Sequence, residues 1–389
     1  MSNRDLARKI RDYSRARGHA GVDTTYDQVF EDALTAELDA GAPPPPPPPP
    51  DPGPTTLPPR EKIYVASGPG IEITGGGGQG GVSQVIENKE YIYTGPPGTG
   101  AIGIRIIGPR PSVIIRNVIV RGFWQDIVVD GFDGWVGTLL LEDTVATDAG
   151  GAEKSVGLFL YHVTKPVFRR VLLSHNGTPD IYSHNGYVDT ENGPVDADDC
   201  VFANAGSHAL MARCGATIRN SVLYGNPIGM QFGGGQDFVP GGVLAYAYDN
   251  VILRGTNISP HVDHKRGWGM WFGNIKQGEI ARNILRDGIG SSTCRLVLDA
   301  SAVDRFKKPG VGVLNLKCHD NLALNWADVY VPGTGPTTGT TVSWLPVTSE
   351  RLAVNLYTPE LTALLSPTLP RPSAAAYCKA MRVLMGMAA

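Results

Sequence analysis

The chain has 389 residues, 42% of them hydrophobic, with 34 basic and 37 acidic side chains and a formal charge of -3. That is enough apolar material for a large core in two or three domains, and the near-balanced charge excludes a composition-driven affinity for nucleic acid or an anionic membrane surface. No apolar h-region follows Met1 and no uncharged apolar run reaches bilayer length, so the expectation is a soluble protein, made in the cytoplasm without a cleaved signal and without membrane insertion.

Leu6, Ile10 and Tyr13 fall at i, i+4 and i+7 and predict a short basic helix over 3–17. Thr25-Tyr-Asp-Gln28 fits a capping box, and Val29, Phe30, Ala33, Leu34 and Leu38 continue a helical face to a stop at Gly41. Two short helices cannot make a core, so residues 1–41 are read as an anchor whose stripes need a partner. Eight consecutive prolines, Pro43 to Pro50, follow within a linker over 42–60. Such a run adopts polyproline II and spaces its two ends by about 25 Å.

Strand signals begin at Ile63-Tyr-Val and continue through Ile71-Glu-Ile, Tyr91-Ile-Tyr and Ile102-Gly-Ile-Arg-Ile-Ile. Gly75 to Gly78 reads as a flexible corner, because no Lys-Ser/Thr and no helix follow to make a phosphate loop. A short phrase then returns eight times: a polar residue followed by a Val/Ile/Leu-rich triplet, beginning at Asn117, Asp143, Arg170, Asp199, Asn220, Asn250, Asn283 and Asn321. The intervals of 26, 27, 29, 21, 30, 33 and 38 residues describe one unit with insertions, too short to bury its own apolar face. Stacking of units must supply the core, and insertions must emerge as loops, here expected over 174–198 and 233–270. The cleanest unit, from His208-Ala-Leu-Met-Ala through Ala216-Thr-Ile-Arg-Asn-Ser-Val-Leu-Tyr to Ile228-Gly-Met-Gln-Phe, predicts three short strands separated by one or two turn residues.

Five cysteines, Cys200, Cys214, Cys294, Cys318 and Cys378, sit mostly in apolar phrases without C-x-x-C spacing, which predicts buried free thiols. After Trp344 the pattern changes. Thr358-Pro-Glu should open a helix through Leu365, and Ser373 should cap a last helix through Met385 with an apolar face of Tyr377, Met381, Leu384 and Met385. That helix is expected to close the solenoid end or to pack on a sister chain.

The phrase Ala216-Thr-Ile-Arg-Asn-Ser-Val-Leu-Tyr-Gly-Asn, with its echoes at Asn117, Asn250 and Asn283, resembles the right-handed parallel β-helix family of the pectate-lyase type, over roughly residues 60–345. The resemblance implies an all-β body over 61–345, with corner asparagines stacked into ladders, between a helical anchor and a C-terminal cap over 346–389. The order of anchor, stiff linker and β-helix body is similar to that of bacteriophage tailspikes. This implies a homotrimer located in the virion, attached to other virion proteins through residues 1–41 and presenting a surface to a host polysaccharide. The sizeable β-rich C-terminal domain of many tailspikes is absent from this chain.

Cleavage of a glycan would need two carboxylates across a groove, or a carboxylate and a base. The candidates are Asp189, Glu191, Asp198 and Asp199, read as an acidic insertion before Cys200 that also holds Asp196, together with His208. Polygalacturonase-like relatives follow an Asp-Asp pair with Gly-His-Gly and Arg-x-Lys. Here Gly206-Ser-His208 follows Asp199 closely and no Arg-x-Lys appears, so a solvated acidic loop is the competing account. Candidates for sugar contact are His264, Arg266, Trp268 and Trp271, since aromatic faces beside charged donors suit a saccharide. Packing of a tryptophan in the core is the other account of that stretch. The remaining histidines have no metal-ligand spacing, and neither a metal nor a cofactor is expected. The reading carried forward is a trimeric virion spike. The alternatives are a polysaccharide lyase or glycoside hydrolase, and an architectural head-decoration or tail adaptor protein without glycan activity.

Overall fold

The computed structural model describes residues 56–74, 82–131, 135–151, 154–179, 182–235, 237–256, 266–288 and 294–387. The two expected N-terminal helices, the proline run, the Gly75 to Gly78 corner and His264 lie outside the described residues. What is described is all-β, with two large parallel sheets and three short helices. None of the described helices is long and apolar enough to cross a membrane.

One sheet holds ten strands, from Ile71–Thr74 to Val329–Tyr330, each hydrogen-bonded to the strand one coil earlier and one coil later. The other holds sixteen and serves two faces, because long strands such as Arg110–Arg121 and Val136–Thr147 bend midway. The first half of Val136–Thr147 pairs with Val163–Arg169 and its second half with Leu172–Ser174. Each coil therefore contributes to three faces. The expected strands at Ile63, Ile71, Tyr91 and Ile102 are all present, whereas the unit from His208 to Phe232, expected as three strands, is built as four, His208–Ala212, Ala216–Arg219, Val222–Tyr224 and Ile228–Gly233, because the left-handed Asn220 divides the middle one.

The bends have a backbone cause. Asn117, Asp143, Arg170, Asp199 and Asn220 all have left-handed φ, between +44 and +57°, a region that Asn and Asp enter at low cost because their short polar side chains bond locally. In the last three coils the equivalent residues are Asp249, Arg282 and Asp320, also left-handed, rather than Asn250, Asn283 and Asn321. The repeated phrase is thus one residue out of step there, and the corner interval after Asn220 is 29, from 220 to 249, not 30. The arginines at this corner are tied to the coil before: Arg170 to Asp143 at 2.8 and 2.9 Å, and Arg282 to Asp249 at 2.8 and 2.9 Å.

The displaced asparagines point inward and stack. Asn250 N and Nδ2 donate to Asn283 Oδ1 at 3.0 and 2.9 Å, and Asn283 N and Nδ2 donate to Asn321 Oδ1 at 2.9 and 2.8 Å. Each Nδ2 also reaches a main-chain carbonyl one coil earlier, of Ile218, Ala247 and Ile280. This is the ladder the asparagine phrases imply, confined at this column to the last coils; at the corner itself Asn117 Nδ2 donates to Asn88 Oδ1 at 2.7 Å. Earlier coils carry Val118, Thr144, Val171 and Cys200 in the same column. Much of the rest of the interior is apolar, with Leu158, Leu210, Met230, Met270 and Leu296 in one file and Phe202, Leu223, Ile252 and Leu285 in another. Asn176, Asn185 and Asn226 form a second buried stack, Asn176 Nδ2 donating to Asn185 Oδ1 at 3.0 Å and Asn185 Nδ2 to Asn226 Oδ1 at 3.5 Å. All five cysteines are buried free thiols.

The C-terminal segment forms helices Ser349–Ala353, Pro359–Leu365 and Ala374–Leu384. Ser373 caps the last by accepting from Ala376 N, as its position predicts, whereas Thr358 occupies the cap position of Pro359–Leu365 without a side-chain bond. The last helix does not close an end of the stack. It lies along the side, on the outward apolar file that includes Leu172, Val201, Val222, Val251 and Ile284. Three bonds pin it there: Asp199 accepts from Ala375 N and Ser373 Oγ at 2.7 and 3.2 Å, and Arg382 donates to Asp249 O at 3.0 Å. The packed face is Ala374, Tyr377, Cys378, Met381 and Arg382, continued by Met385 as expected, while Leu384, expected inside, is 58% exposed beside the exposed Val383.

Candidate functional site

The ten-stranded sheet carries a groove of about 920 Å³ on its outer face. Its shape comes from an irregularity repeated in every coil. The pairing skips one residue near the start of each strand: Val156 pairs with His184 and Leu158 with Gly186, leaving Gly157 and Asn185 out of the ladder, and the same happens at Ala209, Gly229 and Gly269. Small residues suit the skipped position because it faces inward: a Cβ on Gly269 would stand 2.5 Å from Leu285 Cδ2. After the skip, residues three apart face the same side. His184 with Tyr187, His208 with Met211, and Trp268 with Trp271 therefore all line the groove.

Stacking of coils turns these positions into files. Phe159 and Tyr187 lie ring over ring with centroids 5.5 Å apart and planes within 3°, Tyr187 stacks on His184 at 5.5 Å, and Trp271 meets Trp268 edge-on at 5.2 Å. From Gln125 to Tyr330 the groove spans eight neighbouring strands, all but Ile228–Gly233 contributing lining residues. Seven spacings of about 4.8 Å give a length of roughly 34 Å, so the groove is an elongated channel along the stacking direction.

Its polar groups fall into two sets. In the floor, His184 and His208 are almost wholly buried, their Nδ1 atoms 3.1 Å apart, and Ser207 Oγ is 3.0 Å from the same nitrogen of His208. Burial is the main force lowering both pKa values, reinforced for His184 by the nearby Arg266 and Arg213 charges and for His208 by His184 and Arg266; His184 is brought down to about 3. The pair is neutral near pH 7, one ring donating and the other accepting. Along the walls stand Lys154, Arg213, Arg266 and Arg305, with Asp189 and Asp237 opposing them. Asp237 is already engaged by Lys308 Nζ at 2.6 Å, and Asp189 accepts from its own turn, from Thr190 N at 2.7 Å.

The sequence candidates divide accordingly. Arg266, Trp268 and Trp271 line the groove with Asp189 and His208, and neither tryptophan is a core residue, since the skipped Gly269 turns both outward. Glu191 is exposed on the turn after Asp189. Asp196 and Asp198 lie not on an insertion but on the strand Val195–Asp198 of the other sheet, where Arg219 holds them at 2.9 and 3.0 Å. Asp199 sits under the C-terminal helix. The expected insertion over 174–198 is mostly built into coils, through the strands His184–Val188 and Val195–Asp198. Phe159, Tyr187, Arg213 and Tyr330 belong to the site and carry no motif; only the pairing of successive coils places Phe159, Tyr187 and Trp271 in one file.

Among the described residues no cluster of three or more His, Cys, Asp or Glu side chains could hold a metal ion. The arrangement offers ring faces, fixed cations and neutral hydrogen-bonding groups along a channel open to solvent. No protein-family model matches the chain, and no curated protein or solved structure matches it.

Proposed function

We propose that the body is a parallel β-helix whose groove binds an extended glycan, and that it serves as the body of a trimeric virion spike held to its particle by residues 1–41. The observation that carries the glycan reading is the aromatic-lined channel of about 920 Å³ along the ten-stranded sheet, with Tyr187, Trp268 and Trp271 in its wall. Sugar rings present apolar faces that stack on aromatic side chains, while their hydroxyls take hydrogen bonds from groups such as Arg213 and Arg266. A channel running across many coils suits a polymer rather than a compact metabolite.

Virion attachment rests on chain order: an anchor-like segment and a proline spacer precede a rigid rod. Threefold association would multiply weak single-site affinities. The test is full-length protein applied to an array of microbial surface polysaccharides, alongside its mass by light scattering. The reading expects saturable binding that Trp271→Ala abolishes, and a trimeric mass. Absence of binding to every saccharide would remove the glycan reading, and a monomeric mass would remove the trimeric spike.

A second reading, a depolymerase of the same fold, draws on one observation: Asp189 and Asp237 are both close enough to Tyr187 to raise its phenol pKa, although burial is the larger cause. Two carboxylates lining one groove are the minimum for glycoside hydrolysis, which needs them on either side of the scissile bond. Release of new reducing ends from a bound polysaccharide, lost in Asp189→Asn, would establish it.

A further inference from the structure

From the unpaired donors of the groove we infer that its ligand is an anionic polysaccharide, bound through a carboxylate, sulfate or phosphate substituent held by Arg213. This rests on the glycan reading above and adds to it the charge class of the sugar.

Arg213 follows the strand His208–Ala212 and lines the groove. Its guanidinium lies 5.4 Å over the ring of Tyr187, which fixes its plane. Its Nε is buried with no hydrogen-bond partner, and among the described residues no carboxylate forms an ion pair with it. Asp189, beside it on the preceding coil, would be the natural partner, but that carboxylate turns back to accept from Thr190 N and Oγ1. The second orphan is Trp271 Nε1, again a buried donor without an acceptor. A buried polar atom without a partner calls for an explanation, and at a groove open to solvent a bound water or ligand group supplies one.

Arg213 Nε and Trp271 Nε1 are both donors; Gln231 Oε1, in the file beside Trp271, is a buried acceptor without a partner but does not line the groove, so the lining itself calls for acceptors. A sugar hydroxyl is a donor as well as an acceptor, whereas an ionised carboxylate, sulfate or phosphate only accepts, and its paired oxygens match the fork of a stacked guanidinium. The wider charge agrees. Lys154, Arg213, Arg266 and Arg305 face the channel against Asp189 and Asp237, and Lys308 already occupies Asp237. The buried His184 and His208 add no charge, because their pKa values lie below the working range. Among the described residues the lining thus carries more cations than carboxylates, on a chain whose formal total is -3.

The test compares size-matched oligosaccharides binding to the full-length protein by calorimetry: alginate for carboxylate, dextran sulfate for sulfate, teichoic acid fragments for phosphate, and neutral dextran together with carboxyl-reduced alginate. The expected result is that at least one anionic series binds roughly tenfold or more tightly than its neutral counterpart, the usual scale of a charge-assisted bidentate contact. Arg213→Gln should erase that difference while keeping the residual neutral binding. Trp268→Ala should weaken anionic and neutral ligands alike. Lys317→Gln, the same charge change on an exposed position of the other sheet, should leave the discrimination intact. Neutral sugars bound as tightly as anionic ones, or a preference untouched by Arg213→Gln, would overturn the inference and leave the glycan reading standing. Failure of every saccharide to bind would overturn both.

Discussion

His184 and His208 stand on neighbouring coils with their Nδ1 atoms 3.1 Å apart and both rings closed off from solvent beneath the groove. Two imidazoles at that distance share one proton between facing nitrogens unless both are protonated, and burial keeps both of these neutral. The pair thus makes a floor that is polar but uncharged, under walls that carry Arg213 and Arg266.

This pair sets a pH dependence. The folded pKa of His184 is about 3, far below the value near 6.5 of an unfolded chain, and His208 is shifted in the same direction. The unfolded chain therefore takes up protons first, so the contribution is complete above about pH 6.5 and is lost as pH falls towards 3. Thermal melts between pH 7.5 and 4.5 should show wild type losing stability on acidification, with a shallower slope in His184→Gln. Identical slopes would show that the pair is not linked to folding.

Asp199 has the opposite sign. Burial raises its carboxyl to about 6, and the bonds from Ala375 N and Ser373 Oγ only partly oppose this. With the folded value above the unfolded one, the cost of ionising it is absent below about pH 4 and complete above pH 6, with an upper bound of about 3 kcal/mol. Asp199→Asn keeps an oxygen acceptor for the helix N-terminus and removes the titration. The difference in stability between wild type and this variant should shrink as pH falls from 7 to 4, read by urea unfolding at each pH, and a constant difference would contradict the assignment.

Asn283 holds the middle of the ladder, accepting from Asn250 N and Nδ2 and donating to Ala247 O and Asn321 Oδ1. Asn283→Ala leaves several of these buried groups without partners, which should cost about 2–4 kcal/mol. Denaturant titration measures this directly. A loss under about 0.5 kcal/mol would mean that the ladder is not a principal tie between the last coils.

The thiols should be inert in the native state. Burial is the main cause pushing Cys200, Cys214 and Cys318 up to about 12, so almost no thiolate forms near neutral pH. Ellman's reagent should label all five cysteines only in denaturant. Rapid labelling of Cys378 in native protein would show that the C-terminal helix undocks from the side of the stack.

Much of the fold is legible locally. Asn220 and Gly225 mark the two left-handed corners around Val222–Tyr224, and both are residues that accept such a backbone. The slip at Asn250 arises because Asp249-Asn250 offers two residues suited to the corner; only pairing with the neighbouring coil decides that Asp249 turns and Asn250 points inward. The face of the last helix follows from its own spacing, but not the surface it covers, because the outward file at Leu172 and Val201 looks like any other apolar strand position. The groove is the least legible part. Trp268 and Trp271 would lie on opposite faces of a regular strand, and the skipped residue that brings them together is a property of stacked coils, not of the phrase Gly-Trp-Gly-Met-Trp-Phe.

The most direct measurement is a crystal structure of the full-length protein with the tightest-binding oligosaccharide from the array. The account predicts sugar rings in line along the ten-stranded sheet, stacked over Tyr187 and Trp271 and crossing several coils. A saccharide bound elsewhere, or a groove left empty at saturating ligand, would contradict it.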